Sequence, residues 1–182
     1  MARGTLFLIV GPSGAGKDSL IQGARGALAA SPDYVFARRT ITRPLDPVRE
    51  EHEPCSAADF ARRARAGGFM ASWNAYGTDY GISAEYAADL EAGRHVVANV
   101  SREAVGDLAA HYRPVCVIQI TAPPAILEQR LAARGDDSDA ARRLARAVVL
   151  PDNISVRHLL NAGSLEKGID RLVSLLTALS GA

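Results

Sequence analysis

The sequence predicts an α/β domain of three layers, a central parallel sheet with helices on both faces, on three observations. Apolar runs at Leu6–Val10, His95–Val100 and Pro114–Ile120 have the β-branched, continuous character of strands buried on both sides. Strand-like and helix-like stretches alternate along all 182 residues. Between the first run and the first helical stretch lies Gly11-Pro12-Ser13-Gly14-Ala15-Gly16-Lys17-Asp18, with the G-x-x-x-x-G-K spacing of a phosphate-binding loop.

Leu20, Ile21, Ala24 and Leu28 recur at spacings of three and four, predicting an amphipathic helix from Gly16 to about Ala30, ended by Ser31-Pro32-Asp33. Tyr34–Ala37 is a short strand that delivers Arg38 to Pro44 at its carboxyl end, the edge where open α/β sheets bind ligands. Three prolines and mixed charge make Pro44–Pro54 a loop. Ser56 then caps a helix to about Ala66, with Asp59 at the third position. Phe69–Ala75 and Thr78–Ile82 read as short strands, and Ser83 caps a helix to about Ala92. After the His95–Val100 strand a helix runs to about Ala110, and Pro123-Pro124 opens the helix beyond the third core strand. Gly135-Asp136-Asp137-Ser138-Asp139 is polar, and the helix after it carries Arg142, Arg143 and Arg146. Val156–Asn161 reads as a last strand and Ser164–Leu179 as a terminal amphipathic helix. The whole is one domain over residues 1–182.

The loop's chemistry follows from its composition. Glycines let the backbone approach an anion closely, successive N–H groups form a concave nest, and the helix behind presents its positive end. Lys17 reaches the outer phosphates of a nucleoside triphosphate. Asp18 stands where Ser or Thr places a hydroxyl on Mg²⁺. A bare carboxylate about 4 Å from a phosphate charge is repelled by roughly 4 kcal/mol at an effective dielectric near 20. Asp18 therefore either helps to hold Mg²⁺, directly or through water, or complements the helix N-terminus, worth about 0.3–1 kcal/mol.

Composition bounds the partners. Lys+Arg 21 against Asp+Glu 20 leaves a formal charge of +1, so no global field points to nucleic acid or membrane. Small-molecule substrates are expected, with the chain a monomer or homodimer. Cys55 and Cys116 are far apart in no metal-like spacing, and no secretory leader or membrane span is read, so the cytoplasm is the expected compartment. The positive charge is nearly all arginine. Arg130 and Arg134 share one helix face, as do Arg142 and Arg146, so two arginine-bearing helices joined by a polar hairpin form a lid over about 130–146. Arg39 and Arg43 supply cations for an anionic acceptor on an insertion at about 34–92.

The order of phosphate loop, R-x-x-T-R-P at Arg39–Pro44, Tyr80-Gly81, R-L-x-x-R-G from Arg130 and R-R-L from Arg142 resembles the guanylate kinase group along nearly the entire chain. The resemblance implies a three-layer P-loop NTPase fold, guanylate kinase-like, with a small acceptor-binding insertion and a lid. It places Arg43 and Tyr80 at the acceptor, and Lys17, Arg130, Arg134 and Arg143 on the transferring phosphates. The guanine-reading positions depart from that group. Its glutamate beside the tryptophan is Ser72, its D-x-D is Asn99-Val100-Ser101, and its second phosphate arginine is Asp46. Losing such carboxylates removes charge-assisted bonds of about 1.5–3 kcal/mol each.

The departures themselves form a pattern. G-P-S-G-x-G-K-D-S-L, S-W-x-A-x-G-x-x-Y-G from Ser72, N-x-S-R from Asn99, R-L-A-R-A from Arg143 and L-N-x-G-S-L from Leu160 resemble the ribose 1,5-bisphosphate phosphokinase family. These enzymes of bacterial phosphonate breakdown use ATP to convert ribose 1,5-bisphosphate into 5-phosphoribosyl 1-diphosphate. The resemblance implies ATP and Mg²⁺, with Asn99, Ser101 and Arg102 facing the sugar and its phosphates. His52, His95, His111 and His158 are scattered and offer no general base, and a phosphate acceptor with a second pKa of about 6 needs none. A nucleoside monophosphate kinase with altered base choice, and a non-catalytic guanylate kinase-like scaffold, are the competing readings.

Overall fold

A computed structural model describes residues 3–44, 51–133 and 154–179. In chain order the elements are β1 (Leu6–Val10), α1 (Lys17–Ala27), β2 (Tyr34–Phe36), β3 (Arg39–Ile41), β4 (Glu53–Pro54), α2 (Ala57–Arg65), β5 (Phe69–Ala75) and β6 (Thr78–Ser83). They continue with α3 (Tyr86–Glu91), β7 (His95–Asn99), a 3₁₀ turn (Arg102–Ala104), α4 (Val105–His111), β8 (Val115–Thr121), α5 (Pro124–Ala132), β9 (Ser155–Leu160) and α6 (Leu165–Leu179).

β1 is the centre of a five-stranded sheet of order β2-β7-β1-β8-β9, and every neighbouring pair is parallel. Side chains of a strand alternate between faces. Leu6, Leu8 and Val10 accordingly join Val105, Leu108 and Ile82 in one core, while Phe7 and Ile9 join Leu20 and Ala24 of α1 and Leu172 and Leu176 of α6 in another. All five residues of β1 are fully buried, which fixes the strand under the loop that leaves its carboxyl end. The three-layer α/β architecture expected from the alternation is the one found.

A second sheet of order β4-β3-β6-β5 stands beside the first. Since β2 pairs with β7 in the main sheet, this second sheet begins at Arg39. β5 and β6 are joined by a two-residue turn in which Tyr76 (φ 52°) and Gly77 (φ 74°) are both left-handed, the turn that matches strand twist. Phe60 of α2 stacks on Phe69 of β5 with centroids 4.6 Å apart, seating the helix on the sheet.

Local readings fared unevenly. Ser56 caps α2 as expected, its Oγ accepting from the Asp59 amide at 3.1 Å. Ser83, read as a helix cap, is instead the last residue of β6, buried and paired with Phe69, and the helix starts at Tyr86. Glu53–Pro54, at the end of the stretch read as loop, pairs as a short strand with Arg39–Ile41, itself a short strand that no reading gave, and Arg39–Ile41 also pairs with β6. α1 ends at Ala27, three residues earlier than the periodicity suggested.

His95, at the start of β7, gives the fold a pH dependence. Its Nδ1 accepts from the Thr5 amide at 3.0 Å, and its ring lies against Tyr34 and Phe7. Burial lowers its pKa from 6.5, with nearby Asp33 opposing. The folded chain thus keeps the ring neutral while the unfolded chain takes up a proton. The contribution is intact above pH 6.5 and is lost as pH falls below it. Denaturation midpoints at pH 7.5 and 5.5 should show this loss, and His95→Gln should flatten that part of the slope.

Candidate active site

The phosphate loop leaves β1 with Gly11 at φ 148°, Gly14 at 80° and Gly16 at 86°. Gly16, in the left-handed region, caps α1, and the first helical bond runs from the Leu20 amide to its carbonyl at 3.0 Å. The amides of Lys17, Asp18 and Ser19 therefore have no acceptor within the helix, the condition under which a helix start binds an anion. Lys17 Nζ donates to the carbonyls of Gly11 (2.8 Å) and Pro12 (3.0 Å), which holds its ammonium across the loop.

Two side chains from distant elements hold the loop from behind. Asn161, buried just after β9, donates from Nδ2 to the Ala15 carbonyl at 2.8 Å, and its own amide donates to Thr121 at 2.7 Å. In a trans peptide the carbonyl and the following N–H point in opposite directions, so this bond turns the Gly16 amide away from Asn161. Arg130 of α5 donates from Nη1 to the Gly14 carbonyl at 3.3 Å. Arg130 thus stands at the phosphate loop, whereas Arg134, Arg143 and most of the expected lid lie outside the described residues.

Asp18 is tied to both sheets. Its Oδ1 accepts from Asn99 Nδ2 at 2.7 Å, at the carboxyl end of β7, and from Arg39 Nη2 at 3.3 Å, on β3. The Arg39 side chain is 15% exposed against 45% for Asp18. Burial lowers the Arg39 pKa, and the Asp18 charge opposes that fall; a guanidinium keeps its proton in any case. The guanidinium also lies 5.5 Å over the Tyr80 ring, which stacks nearly parallel on Trp73 (5.6 Å, 4°). A carboxylate only accepts, so Asp18 fixes the Asn99 amide with nitrogen toward it. Asn99 Oδ1 is left buried with no hydrogen-bond partner among the described residues.

The other residues expected at the acceptor follow β7 and β3. Ser101 opens the 3₁₀ turn, its Oγ accepting from the Glu103 amide at 3.4 Å, and Arg102 is the turn's first residue. Arg43 follows β3 and lines an open hollow of about 350 Å³ with Thr42, Pro44, Cys55 and Ser56. Its carbonyl meets buried His52 Nε2 at 2.9 Å, and Thr42 Oγ1 accepts from the Asp79 amide at 2.8 Å, so the backbone beneath Arg43 is anchored on both sides.

The structure therefore links Lys17, Asp18, Arg39, Asn99 and Arg130 directly at the loop and Tyr80 through Arg39, while Ser101 and Arg102 follow β7 and Arg43 follows β3. Sequence reasoning gave no role to Asn161, although it quoted the L-N-x-G-S-L stretch that holds it. Trp73 and Thr42 were also missed as supports of Tyr80 and Arg43. Among the described residues no group of three or more His, Cys, Asp or Glu could hold a metal by itself, and no helix is long and apolar enough to cross a membrane.

No family model matches the chain. The ribose 1,5-bisphosphate phosphokinase of Methylobacterium radiotolerans is 44% identical over 177 residues, covering 96% of this chain and 98% of that protein. That of Acidiphilium cryptum is 52% identical over 146 residues, covering 79% and 77%. A bifunctional ribose 1,5-bisphosphokinase-thymidine phosphorylase of Cupriavidus necator is 48% identical over 178 residues. The chain spans 29% of that longer relative's length. Among solved structures, the guanylate kinase of Anaplasma phagocytophilum superposes with a TM-score of 0.72 at 17% identity, covering 98% of this chain and 87% of that one, which is a likeness of fold. Motifs, architecture and relatives agree: the chain belongs to the ribose 1,5-bisphosphate phosphokinase family, on a guanylate kinase-like fold.

Proposed function

We propose that this chain transfers the terminal phosphoryl group of ATP to ribose 1,5-bisphosphate, giving 5-phospho-α-D-ribose 1-diphosphate and ADP, as a step of phosphonate breakdown in the cytoplasm. One observation carries the choice of acceptor. At positions 72, 99 and 101 this chain has Ser, Asn and Ser where a guanine reader has carboxylates, while Arg43 and Arg102 supply cations suited to a sugar carrying two phosphates.

An oxygen of the acceptor's 1-phosphate attacks the γ-phosphorus of ATP, the bond from that phosphorus to the β,γ-bridging oxygen breaks, and ADP leaves with that oxygen. The acceptor oxygen is already ionised at neutral pH, so no base is required. The chain's task is to align two anions and offset their charge. The loop amides at the start of α1 cradle the donor phosphates, Lys17 and Arg130 meet charge moving toward the leaving oxygen, and Arg43 holds the acceptor phosphate. Arg134 and Arg143 are proposed to close over the transfer. Tyr80, packed on Trp73, walls the acceptor side, and Asn99, Ser101 and Arg102 face the sugar.

Mg²⁺ would neutralise charge between the phosphates. Asp18, half-exposed at the head of α1, is the carboxylate placed to hold it directly or through water. A single carboxylate fits a cation that takes its other oxygens from phosphate and water.

Phosphorus NMR of the protein with ATP, Mg²⁺ and ribose 1,5-bisphosphate tests the reading. The coupled signals of a sugar diphosphate should grow as the 1-phosphate signal declines. Loss of ATP with only inorganic phosphate appearing would refute it.

A further inference from the structure

We infer that Arg39 acts on the nucleotide side of the site, as a positioning residue that offsets the charge of Asp18 and so makes a helix start bearing a carboxylate usable for polyphosphate. This rests on the reading that the loop binds ATP, and it moves Arg39 from the acceptor's phosphates to the donor's.

The phosphate loop carries an acidic residue, Asp18, at the head of its helix. An anion-binding helix start gains from its bare amides and its dipole, and a carboxylate at the second helical position occupies that field with its own charge. The structure answers with a cation from another element. Arg39 Nη2 lies 3.3 Å from Asp18 Oδ1, across 21 residues of sequence and from β3 of the second sheet to the head of α1. The other donor to that oxygen, Asn99 Nδ2, is nearer at 2.7 Å but is a neutral amide, so it orients the carboxylate without offsetting it.

Arg39 is also built in. Its side chain is 15% exposed, its strand is held by the Arg39 to Ile82 register with β6, and its guanidinium lies on the Tyr80 face, which is itself stacked on Trp73. A planar guanidinium suits this combination of stacking and ion pairing, and its charge, which a lysine ammonium would also carry, is what offsets the carboxylate. The pair thus presents a near-neutral surface next to the loop, and Lys17 and the amides keep their positive field for phosphate.

Removing one charge of the pair should harm nucleotide binding, and removing both should restore it. Calorimetry with an ATP analogue in EDTA, without metal or acceptor, reads this directly. Arg39→Gln should weaken analogue binding by about tenfold or more, because an uncompensated carboxylate then faces the phosphates. Asp18→Ser alone should bind at least as tightly as wild type, and the double variant should return to within about threefold of it. Equal binding by Arg39→Gln and wild type would place Arg39 at the acceptor only. A loss that Asp18→Ser fails to repair would make Arg39 a structural support. Either result overturns the inference. Arg39→Lys, which keeps the charge, should retain most of the affinity and shows that the loss is electrostatic should Arg39→Gln fold poorly. Failure of wild type to bind the analogue would instead refute the kinase reading itself.

Discussion

Lys17→Ala lowers kcat by about 10³-fold while the melting temperature stays within a few degrees of wild type. The ammonium spans the loop through the Gly11 and Pro12 carbonyls, and under the proposed function it is the preorganised cation that meets the γ-phosphoryl group and its developing charge. Its bonds are to loop carbonyls at the edge of the fold, while the core beneath is the closed apolar packing around β1, which the substitution leaves intact. Steady-state kinetics with saturating ATP, set beside a thermal melt, checks both halves. A loss below tenfold would move the catalytic charge to another residue.

Gly11→Ala lowers stability by about 3 kcal/mol, a fall in melting temperature of roughly 6–12 °C for a chain of this length. A Cβ at Gly11 would stand 2.0 Å from the Ile120 carbonyl oxygen of β8, and the residue's φ of 148° is strained for any side chain. The obstacle is backbone of the adjacent core strand, so no side-chain rotation relieves it. Gly26→Ala is the control. Gly26 lies in α1 with nothing within 4 Å of its added Cβ, and alanine there should be neutral or stabilising by about 0.5–1 kcal/mol. Circular dichroism melts of the two variants should shift in opposite directions or by very unequal amounts.

What could be read from the sequence divides by the range of the forces involved. The phosphate loop was legible because its strand, glycine spacing and helix are contiguous, and each is specified by local chemistry. The core strands were legible because a strand buried on both faces is a continuous apolar run, as Leu6–Val10 is. The second sheet was legible only in its longer strands. Arg39–Ile41 and Glu53–Pro54 are three and two residues long and partly polar, so their strand character comes from pairing and leaves no periodic trace.

The site divided in the same way. Lys17 and Asp18 were named by their place in the loop, and Arg39, Arg43 and Tyr80 by short stretches with a recognisable order. That Asp18 meets Arg39 and Asn99 was not legible, because three elements must fold together before those side chains touch. Asn161 lies 146 residues from the carbonyl it holds. A lone asparagine after a strand gives no sign of such a partner. Ser83 misled because a serine before a helical run looks like a cap, while its pairing with Phe69 kept it in the sheet.

The ratio of kcat/KM for ribose 1,5-bisphosphate to that for GMP, measured on one preparation with ATP and Mg²⁺, addresses the central claim most directly. A site built for a twice-phosphorylated sugar predicts a ratio far above one, on the order of 10³ or more, since buried groups left without partners discriminate at that scale or beyond. A ratio below one would contradict the account and return the chain to the nucleotide kinases whose fold it shares.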